Sequence, residues 1–129
     1  MFTTAIKTSS QQQVLDITRI VEEAVSKSGV KEGICLVNLP HATAAIISGE
    51  YEPNIERDYL RFFEELVPKS DYAHNSIDNN AEAHLKNAFF GSSKAFPVSG
   101  GQLVLGTWES IMLCEFDGPR ARTIQVIVK

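Results

Sequence analysis

The sequence predicts an α+β protein with a mixed, largely antiparallel sheet and about three helices packed against it. The 129 residues are 43% hydrophobic and 22% charged, ordinary values for a chain that can bury a core without disulfide bonds. Several short segments have the apolar pattern of strands, whereas three longer ones repeat apolar residues at helical spacing. The order is strands, helix, strands, two helices and strands, unlike the regular alternation of a parallel sheet. The length predicts a single domain over residues 1–129.

The N-terminal quarter is predicted to form a strand and a helix. Residues 2–8 alternate and are rich in β-forming residues. Residues 14–17 either extend a strand or lead into a helix that ends at Gly29, a residue typical of a helix C-terminus. Asp16 or Thr18 is the expected N-cap of this helix.

Two further strands are predicted on either side of a histidine. Residues 33–39 form a continuous apolar run that Pro40 ends, and residues 43–48 form a second run. His41 falls between these two strands, where its side chain can be held rigidly.

Two helices separated by a polar loop are predicted in the middle of the chain. The first runs from Ile55 to Leu66, and a long polar loop at residues 69–79 carries His74. The second runs from a cap at Asn79 or Asn80 to about Phe90. Its inward face is predicted from the residues that share one side of the helix: Ala81, His84, Leu85, Ala88 and Phe89.

The C-terminal third is predicted to be β structure. Strands are expected at residues 96–99, 102–105, 107–116 and 123–128. Turns are expected at Gly100-Gly101 and at Asp117-Gly-Pro119.

Composition argues against several classes of partner. The net charge is −4 and no basic block is present, which argues against non-specific nucleic-acid binding. The sequence shows no secretory signal. No apolar run approaches the ~20 residues that a membrane span needs, so no membrane partner is expected. Cys35 and Cys114 lie in apolar segments and are expected to be buried, reduced thiols, which makes the cytoplasm the expected compartment.

The three histidines of the chain are His41, His74 and His84. Three imidazoles with an open fourth position suit a catalytic zinc site. Their spacing matches no zinc-finger pattern and no His-Glu-x-x-His helix. On spacing alone, three unrelated structural roles are the simpler interpretation.

A set of short segments distributed along the whole chain resembles the YjbQ-like family of small bacterial and archaeal proteins. The specific parts of the resemblance are the ordered set of three histidines and the Gly-Thr-Trp segment. The segments are His41-Ala-Thr-Ala-Ala, Glu50, Arg57-Asp58, Val67-Pro68, Tyr72-x-His74, Asn80-Ala-Glu-Ala-His84-Leu-Lys, Gly91-Ser-Ser, Phe96-Pro-Val-Ser, Gly106-Thr-Trp-Glu109 and Cys114-Glu-Phe-Asp-Gly-Pro119.

The resemblance implies a YjbQ-like α+β fold, a homotrimer and a metal site at His41, His74 and His84. It also implies the weak thiamine-phosphate synthase activity after which the family is labelled. Two positions depart from the family pattern. Ala42 stands where Thr is usual, and Glu109 stands where Gln is usual, which adds a negative charge if Glu109 lies near the site.

With the resemblance included, the metal trio is favoured over three unrelated histidines. Zinc is the expected metal and magnesium the alternative. Glu50 and Asp58 are the candidate acid–base residues, or groups that orient the metal ligands. As a loop carboxylate and a helix carboxylate, they fit ordinary solvated positions equally well.

Substrate binding has four candidate residues: Lys86, Ser92, Arg120 and Trp108. A phosphorylated small-molecule substrate needs cations or oriented N–H groups to stabilise its charge, and no P-loop is present. Simpler interpretations are a solvated lysine for Lys86, a turn for Ser92 and a packing role on a long strand for Trp108.

Three functions follow from the sequence. The first is a thiamine-phosphate-synthase-like enzyme with a metal-assisted site. The second is a metal-dependent hydrolase of a small phosphorylated or ester substrate. The third is a non-catalytic trimer that binds a metal or a metabolite.

Overall fold

Eight strands and three α-helices make up the protein, whose computed structural model describes residues 1–129. The strands are β1 (Phe2–Lys7), β2 (Gln13–Asp16), β3 (Gly33–Asn38), β4 (Ala44–Gly49), β5 (Ser93–Ser99), β6 (Gln102–Leu103), β7 (Ser110–Glu115) and β8 (Ala121–Val128). The helices are α1 (Thr18–Ser28), α2 (Pro53–Leu66) and α3 (Ala81–Phe90), and a 3₁₀ turn lies at Ala73–Ser76.

The strands form two sheets. The larger sheet has the order β1-β8-β3-β5-β6, and the smaller has the order β2-β7-β4. Every strand pair is antiparallel. The predicted α+β class is therefore confirmed, and the sheets are wholly antiparallel rather than mixed.

Strand β7 supplies side chains to two separate hydrophobic cores. Ile111 and Leu113 pack into the larger core, which α1 and both sheets enclose. Met112 and Cys114 point the other way, into a smaller core with Phe63 of α2. Alternate residues of a strand face opposite sides of its sheet, so a strand buried on both faces is apolar throughout. This explains why residues 111–114 of β7 are all apolar.

The ends of α1 follow from local chemistry. The Asp16 carboxylate accepts hydrogen bonds from the Thr18 N–H (3.0 Å) and from the Thr18 hydroxyl (2.6 Å), although Ile17 is the capping residue. Gly29 ends the helix with φ 71°, a left-handed conformation that favours glycine. The predicted glycine stop is confirmed.

The inward face of α3 differs from the prediction. Its buried residues are Ala81, Ala83 and Lys86, whereas Leu85 is 44% exposed and Phe89 is 67% exposed. The buried face of α3 is rotated relative to the predicted one. The reason is that α3 packs against β4, and that the Lys86 ammonium lies 5.6 Å from the centre of the Phe116 ring. The aliphatic part of a lysine side chain can cover apolar surface. Lys86 therefore occupies a core position although its residue type is polar.

The segment around Trp108 also differs from the prediction. Strand β7 begins only at Ser110, and Trp108 lies in the turn before it with 76% of its surface exposed. The Glu109 carboxylate accepts a hydrogen bond from the Gly106 N–H (3.0 Å). This bond stabilises a turn where a continuous strand was predicted.

Both cysteines are buried and free, as predicted. Burial raises the pKa of the Cys35 thiol to about 11, and burial raises the pKa of Cys114 as well. Both therefore stay protonated and act as small apolar side chains.

None of the three helices combines the length and the apolar character that crossing a bilayer requires.

A histidine pair beside a polar cavity

Two of the three histidines lie side by side. The rings of His74, in the 3₁₀ turn, and His84, on α3, have centroids 4.8 Å apart and meet edge to face at 76°. His74 is exposed and His84 is half-buried. Neither ring nitrogen of His84 makes a hydrogen bond within the chain. The pair therefore presents imidazole nitrogens to solvent.

The loop that carries His74 is fastened to the start of α3 by Asn75. The Asn75 side-chain oxygen accepts a hydrogen bond from the Ala81 N–H (2.9 Å), and its amide group donates to Glu82 (3.1 Å). The first N–H groups of a helix have no partner within the helix, so a side chain from outside can satisfy them. This cap holds His74 against His84.

A chain of side-chain hydrogen bonds orients the His74 ring. The Asn80 amide donates to the Asp117 carboxylate (2.9 Å), so its oxygen faces His74 and accepts from Nε2 (2.9 Å). The neutral His74 ring therefore carries its proton on Nε2 and keeps a free lone pair on Nδ1. Asp117 in turn pairs with the Arg120 guanidinium at 3.2 Å.

His41 has a different environment. Its Nε2 accepts a hydrogen bond from the Thr123 N–H (2.8 Å), at the start of β8. Burial lowers the pKa of His41, and the positive charges of Arg122 and Arg120 lower it further against the opposing effect of Glu115. The ring is therefore neutral, with its proton on Nδ1 and its lone pair used.

These environments bear on the predicted metal site. No group of three His, Cys, Asp or Glu side chains in the chain is arranged so that it could hold a metal ion. His74 and His84 each keep an unused nitrogen lone pair that could bind a metal, whereas the lone pair of His41 accepts a hydrogen bond from β8. The three-histidine site therefore stays a prediction, and one chain brings together two of its members.

A polar cavity of about 360 Å³ adjoins this region. Asn80 and Asp117, which orient His74, also form part of the cavity wall. The cavity lies between α2, α3 and the segment before β2. Its lining residues are Gln11, Gln12, Glu64, Val67, Lys69, Asn79, Asn80, Glu82, Ala83, Lys86, Phe116 and Asp117.

Lys86 is the unusual member of this cavity. Only 7% of the residue is exposed, and its ammonium donates a hydrogen bond to the Gln12 side-chain oxygen (2.8 Å). No carboxylate forms an ion pair with it. Burial lowers the pKa of Lys86, and the charges of Glu64 and Glu82 oppose that change. Lys86 is therefore a cavity residue and not the solvated helix lysine of the simpler interpretation.

The two candidate acid–base carboxylates are exposed. Glu50 is held by its backbone, because its carbonyl accepts a hydrogen bond from the Tyr59 hydroxyl (2.7 Å). Asp58 lies on the solvent side of α2. Neither side chain makes a hydrogen bond or an ion pair within the chain, so neither joins the histidine pair.

The remaining candidates have varied surroundings. The Ser92 hydroxyl donates to the His41 carbonyl (3.2 Å) and accepts from the Asn87 amide (2.8 Å), which ties α3 to the loop between β3 and β4. Trp108 is exposed in its turn, and the Glu109 carboxylate bonds locally to Gly106. Of the predicted substrate-binding residues, Arg120 is linked to the histidine pair and Lys86 to the cavity.

Sequence reasoning missed the residues that support the site. The sequence predicts only a loop at Asn75, a helix cap at Asn80 and a turn at Asp117. Asn75 and the His74 contact of Asn80 act within the same loop and helix start, whereas the contact of Asn80 with Asp117 joins segments far apart in the chain. The one available signal was the density of Asn and Asp around His74, since these side chains hydrogen-bond readily to neighbouring groups.

The fold places the chain among small α+β proteins that combine two antiparallel sheets with three helices. The chain belongs to the family described as UPF0047 protein YjbQ-like, whose model matches residues 2–129. A UPF0047 protein of Archaeoglobus fulgidus is 44% identical over 125 residues, covering 96% of this chain and 95% of the relative. The UPF0047 protein YugU of Bacillus subtilis is 39% identical over the same shares.

Solved structures of similar proteins have the same fold. A YbjQ-like protein of unknown function from Sulfolobus solfataricus matches with a TM-score of 0.96 and 44% identity, covering 98% of this chain and 94% of that one. A hypothetical protein from Aeropyrum pernix matches with a TM-score of 0.96 and 43% identity, covering 99% and 96%. An uncharacterized conserved protein of the family from Clostridium acetobutylicum matches with a TM-score of 0.95 and 39% identity over both full chains.

Proposed function

We propose that the protein is an enzyme that acts on a small phosphorylated substrate at the His74–His84 pair. The proposed activity is the thiamine-phosphate-synthase-like reaction that the sequence resemblance implies. One observation supports this site above others. Two imidazoles stand 4.8 Å apart, and the Asn80–Asp117 hydrogen bonds connect one of them to the Arg120 guanidinium.

Each group has a definable role in such a reaction. Joining a pyrimidine pyrophosphate to a thiazole phosphate releases pyrophosphate, on which negative charge develops. Arg120 is 50% exposed at its side chain, so its guanidinium can bind a phosphate while it stays paired with Asp117. The free Nδ1 of His74 can accept or return a proton, and so can the ring of His84, whose nitrogens make no hydrogen bond within the chain.

We also propose a divalent metal at this site, with zinc the first candidate and magnesium the second. The proposal keeps two of the three histidine ligands that the sequence predicts. His74 and His84 are the two imidazole ligands that one chain offers together. The Asn80 bond fixes the His74 ring so that Nδ1 would bind the metal. When bound, such a metal supplies a Lewis acid for phosphate oxygens.

The metal content of the protein is the first test of the proposed metal site. Elemental mass spectrometry of the purified protein and of three single variants separates the possibilities. We expect His74→Ala and His84→Ala to lose the metal, whereas His41→Ala retains it. Loss in all three variants would restore the three-histidine site, and absence of metal before and after titration with zinc would remove the metal from the proposal.

Activity is tested with the two phosphorylated precursors. We expect thiamine phosphate and pyrophosphate to form with the wild-type protein, and His74→Ala and His84→Ala to lower the rate by about 100-fold. The matched control is Glu22→Gln on the exposed side of α1, which should retain full activity. Product formation that is equal in all four proteins would reject the histidine pair as the site.

Other outcomes point to the alternative functions. Release of inorganic phosphate or an alcohol from simple phosphate or carboxylate esters, without joined product, would indicate a hydrolase. Binding of a precursor without any turnover would indicate a metabolite-binding protein.

The proposal includes assembly as a homotrimer and location in the cytoplasm. Large apolar side chains that are exposed in the single chain support assembly, among them Ile77 (84%), Trp108 (76%) and Phe89 (67%). Two free, buried cysteines support a reducing compartment. Light scattering after gel filtration checks the assembly, since a stable monomer of 14.2 kDa at micromolar concentration would contradict it.

A further inference from the structure

The cavity beside α3 carries balanced charges of both signs. Lys69 and Lys86 supply two positive groups, and Glu64 and Glu82 supply two negative ones. The third carboxylate, Asp117, is already neutralised by Arg120 and hydrogen-bonded by Asn80. A purely anionic or purely cationic ligand would therefore meet repulsion from part of the wall.

The buried ammonium of Lys86 lacks a full set of partners. An ammonium has three hydrogens to donate, and Lys86 makes one hydrogen bond, to the neutral Gln12 side chain. A lysine of which only 7% is exposed is normally paired with an anion or fully hydrogen-bonded. Since Lys86 lines the cavity, an anionic group of a ligand can complete its partners there.

The carboxylates are placed to receive the opposite charge. Glu64 and Glu82 lie close enough to Lys86 to affect its pKa, yet neither forms an ion pair with it. Glu82 is held in place from the outside by the Asn75 amide at 3.1 Å. A short ligand with opposite charges at its two ends can thus contact Lys86 and the carboxylate of Glu64 or Glu82 at the same time.

The geometry points to a binding site for a small zwitterion in this cavity, with a phosphate or carboxylate group at Lys86 and an amine at Glu64 and Glu82. The volume of about 360 Å³ is that of a small-ligand pocket and accommodates a phosphorylated amine or an amino acid. The cavity shares Asn80 and Asp117 with the hydrogen bonds that orient His74, but the zwitterion proposal does not rest on the reaction proposed at the histidine pair.

Calorimetric titration tests this site with three matched probes: phosphoethanolamine, inorganic phosphate and ethanolamine. We expect phosphoethanolamine to bind at least about tenfold more tightly than either half, because only it satisfies both charge sets. Equal affinity for phosphoethanolamine and inorganic phosphate would overturn the proposal, as would no binding of phosphoethanolamine at millimolar concentration.

Variants assign the two ends of the ligand. Lys86→Met should abolish phosphoethanolamine binding, and Glu82→Gln should reduce it to the level of inorganic phosphate. The matched control is Lys94→Met, an exposed lysine of β5 outside the cavity, which should bind like the wild type. Full binding by Lys86→Met would overturn the proposal.

Two further measurements keep the outcome unambiguous. Chemical-shift changes in the wild-type protein should centre on the side chains of Gln12 and Asn79 and on the backbone of Lys86, and changes centred elsewhere would reject the cavity even if Lys86→Met fails to fold. His84→Ala should retain the binding, so loss of catalysis and loss of this site are distinguished.

Discussion

At the scale of single residues, the buried polar groups carry the clearest consequences. Arg122 and Glu115 are 2% and 0% exposed, and they form an ion pair in which Nε donates to Oε1 at 2.9 Å. Thr43 accepts from the guanidinium (2.9 Å), and Thr8 donates to the carboxylate (2.8 Å). Every buried polar side-chain atom has a partner. Removing one member of such a set leaves the other charge uncompensated.

Glu115→Gln should lower the free energy of unfolding by about 3 kcal/mol. The change keeps the shape but leaves the Arg122 charge buried without its anion. Urea denaturation at neutral pH measures the loss. The double variant Glu115→Leu, Arg122→Met is expected to lose less than the single one, and a single variant as stable as the wild type would contradict the account.

The Glu115–Arg122 ion pair makes the free energy of unfolding depend on pH. Burial alone would raise the pKa of Glu115, but hydrogen bonds from Arg122, Thr8 and the Asp117 N–H lower it below the ordinary value of 4.5. A carboxyl with a lowered pKa stabilises the fold above its unfolded pKa, and this contribution is lost as the pH falls below about 4.5. Denaturation between pH 6 and pH 3 should therefore show a shallower decline in Glu115→Gln.

Lys86→Met is expected to raise the free energy of unfolding by about 1 kcal/mol. Methionine replaces the stem of the lysine and removes a buried charge that no carboxylate pairs. Thermal and urea unfolding measure the gain. Lys94→Met on the exposed side of β5 is the control and should change little. A loss above about 2 kcal/mol would show that the ammonium stabilises the fold.

At the scale of elements, the loop at residues 69–79 and α3 behave as one unit. Asn75 caps α3 and Asn80 fixes the His74 ring, so the loop and the helix position each other.

Asn75→Ala should lower the free energy of unfolding by about 1 kcal/mol, the usual effect of losing a helix cap. It should also speed hydrogen exchange at the amides of residues 77–82, because the loop loses its attachment. Asn79→Ala, an exposed neighbour without a hydrogen bond in the chain, is the control. Unchanged exchange in Asn75→Ala would show that the cap does not hold the loop.

The elements also show how far the sequence could predict the structure. Strand β1, the glycine stop of α1 and the three helices follow from local patterns, and they were predicted. The rotation of α3 was not, because burial of Lys86 depends on Phe116, thirty positions later in the chain. The turn at Trp108 was missed because its residues suit a strand equally well.

The proximity of His74 and His84 was expected from the resemblance, whereas the hydrogen bond from the Thr123 N–H to His41 had no signal in the sequence.

At the scale of the whole molecule, the exposed side chains bear on assembly. Trp108 is the only tryptophan of the chain and is 76% exposed. Its emission therefore reports directly on whether another surface covers it.

Intrinsic fluorescence should reveal the proposed trimer without a label. If Trp108 is covered on assembly, its emission moves to shorter wavelength as the protein concentration rises through the assembly range. Trp108→Phe is the blank for this measurement. Emission at long wavelength at all concentrations, together with a trimer by light scattering, would show that the interface lies elsewhere.

The two-sided burial of β7 sets where the chain can change length. Gaining or losing one residue within Ser110–Glu115 would turn Ile111 and Leu113 toward the smaller core and Met112 and Cys114 toward the larger one. Both cores would fail together, so insertions and deletions are excluded from this strand. The segments that can absorb them are the surface turn before β7 and the loop that carries His74, whose length alters the reach of a histidine without disturbing either core.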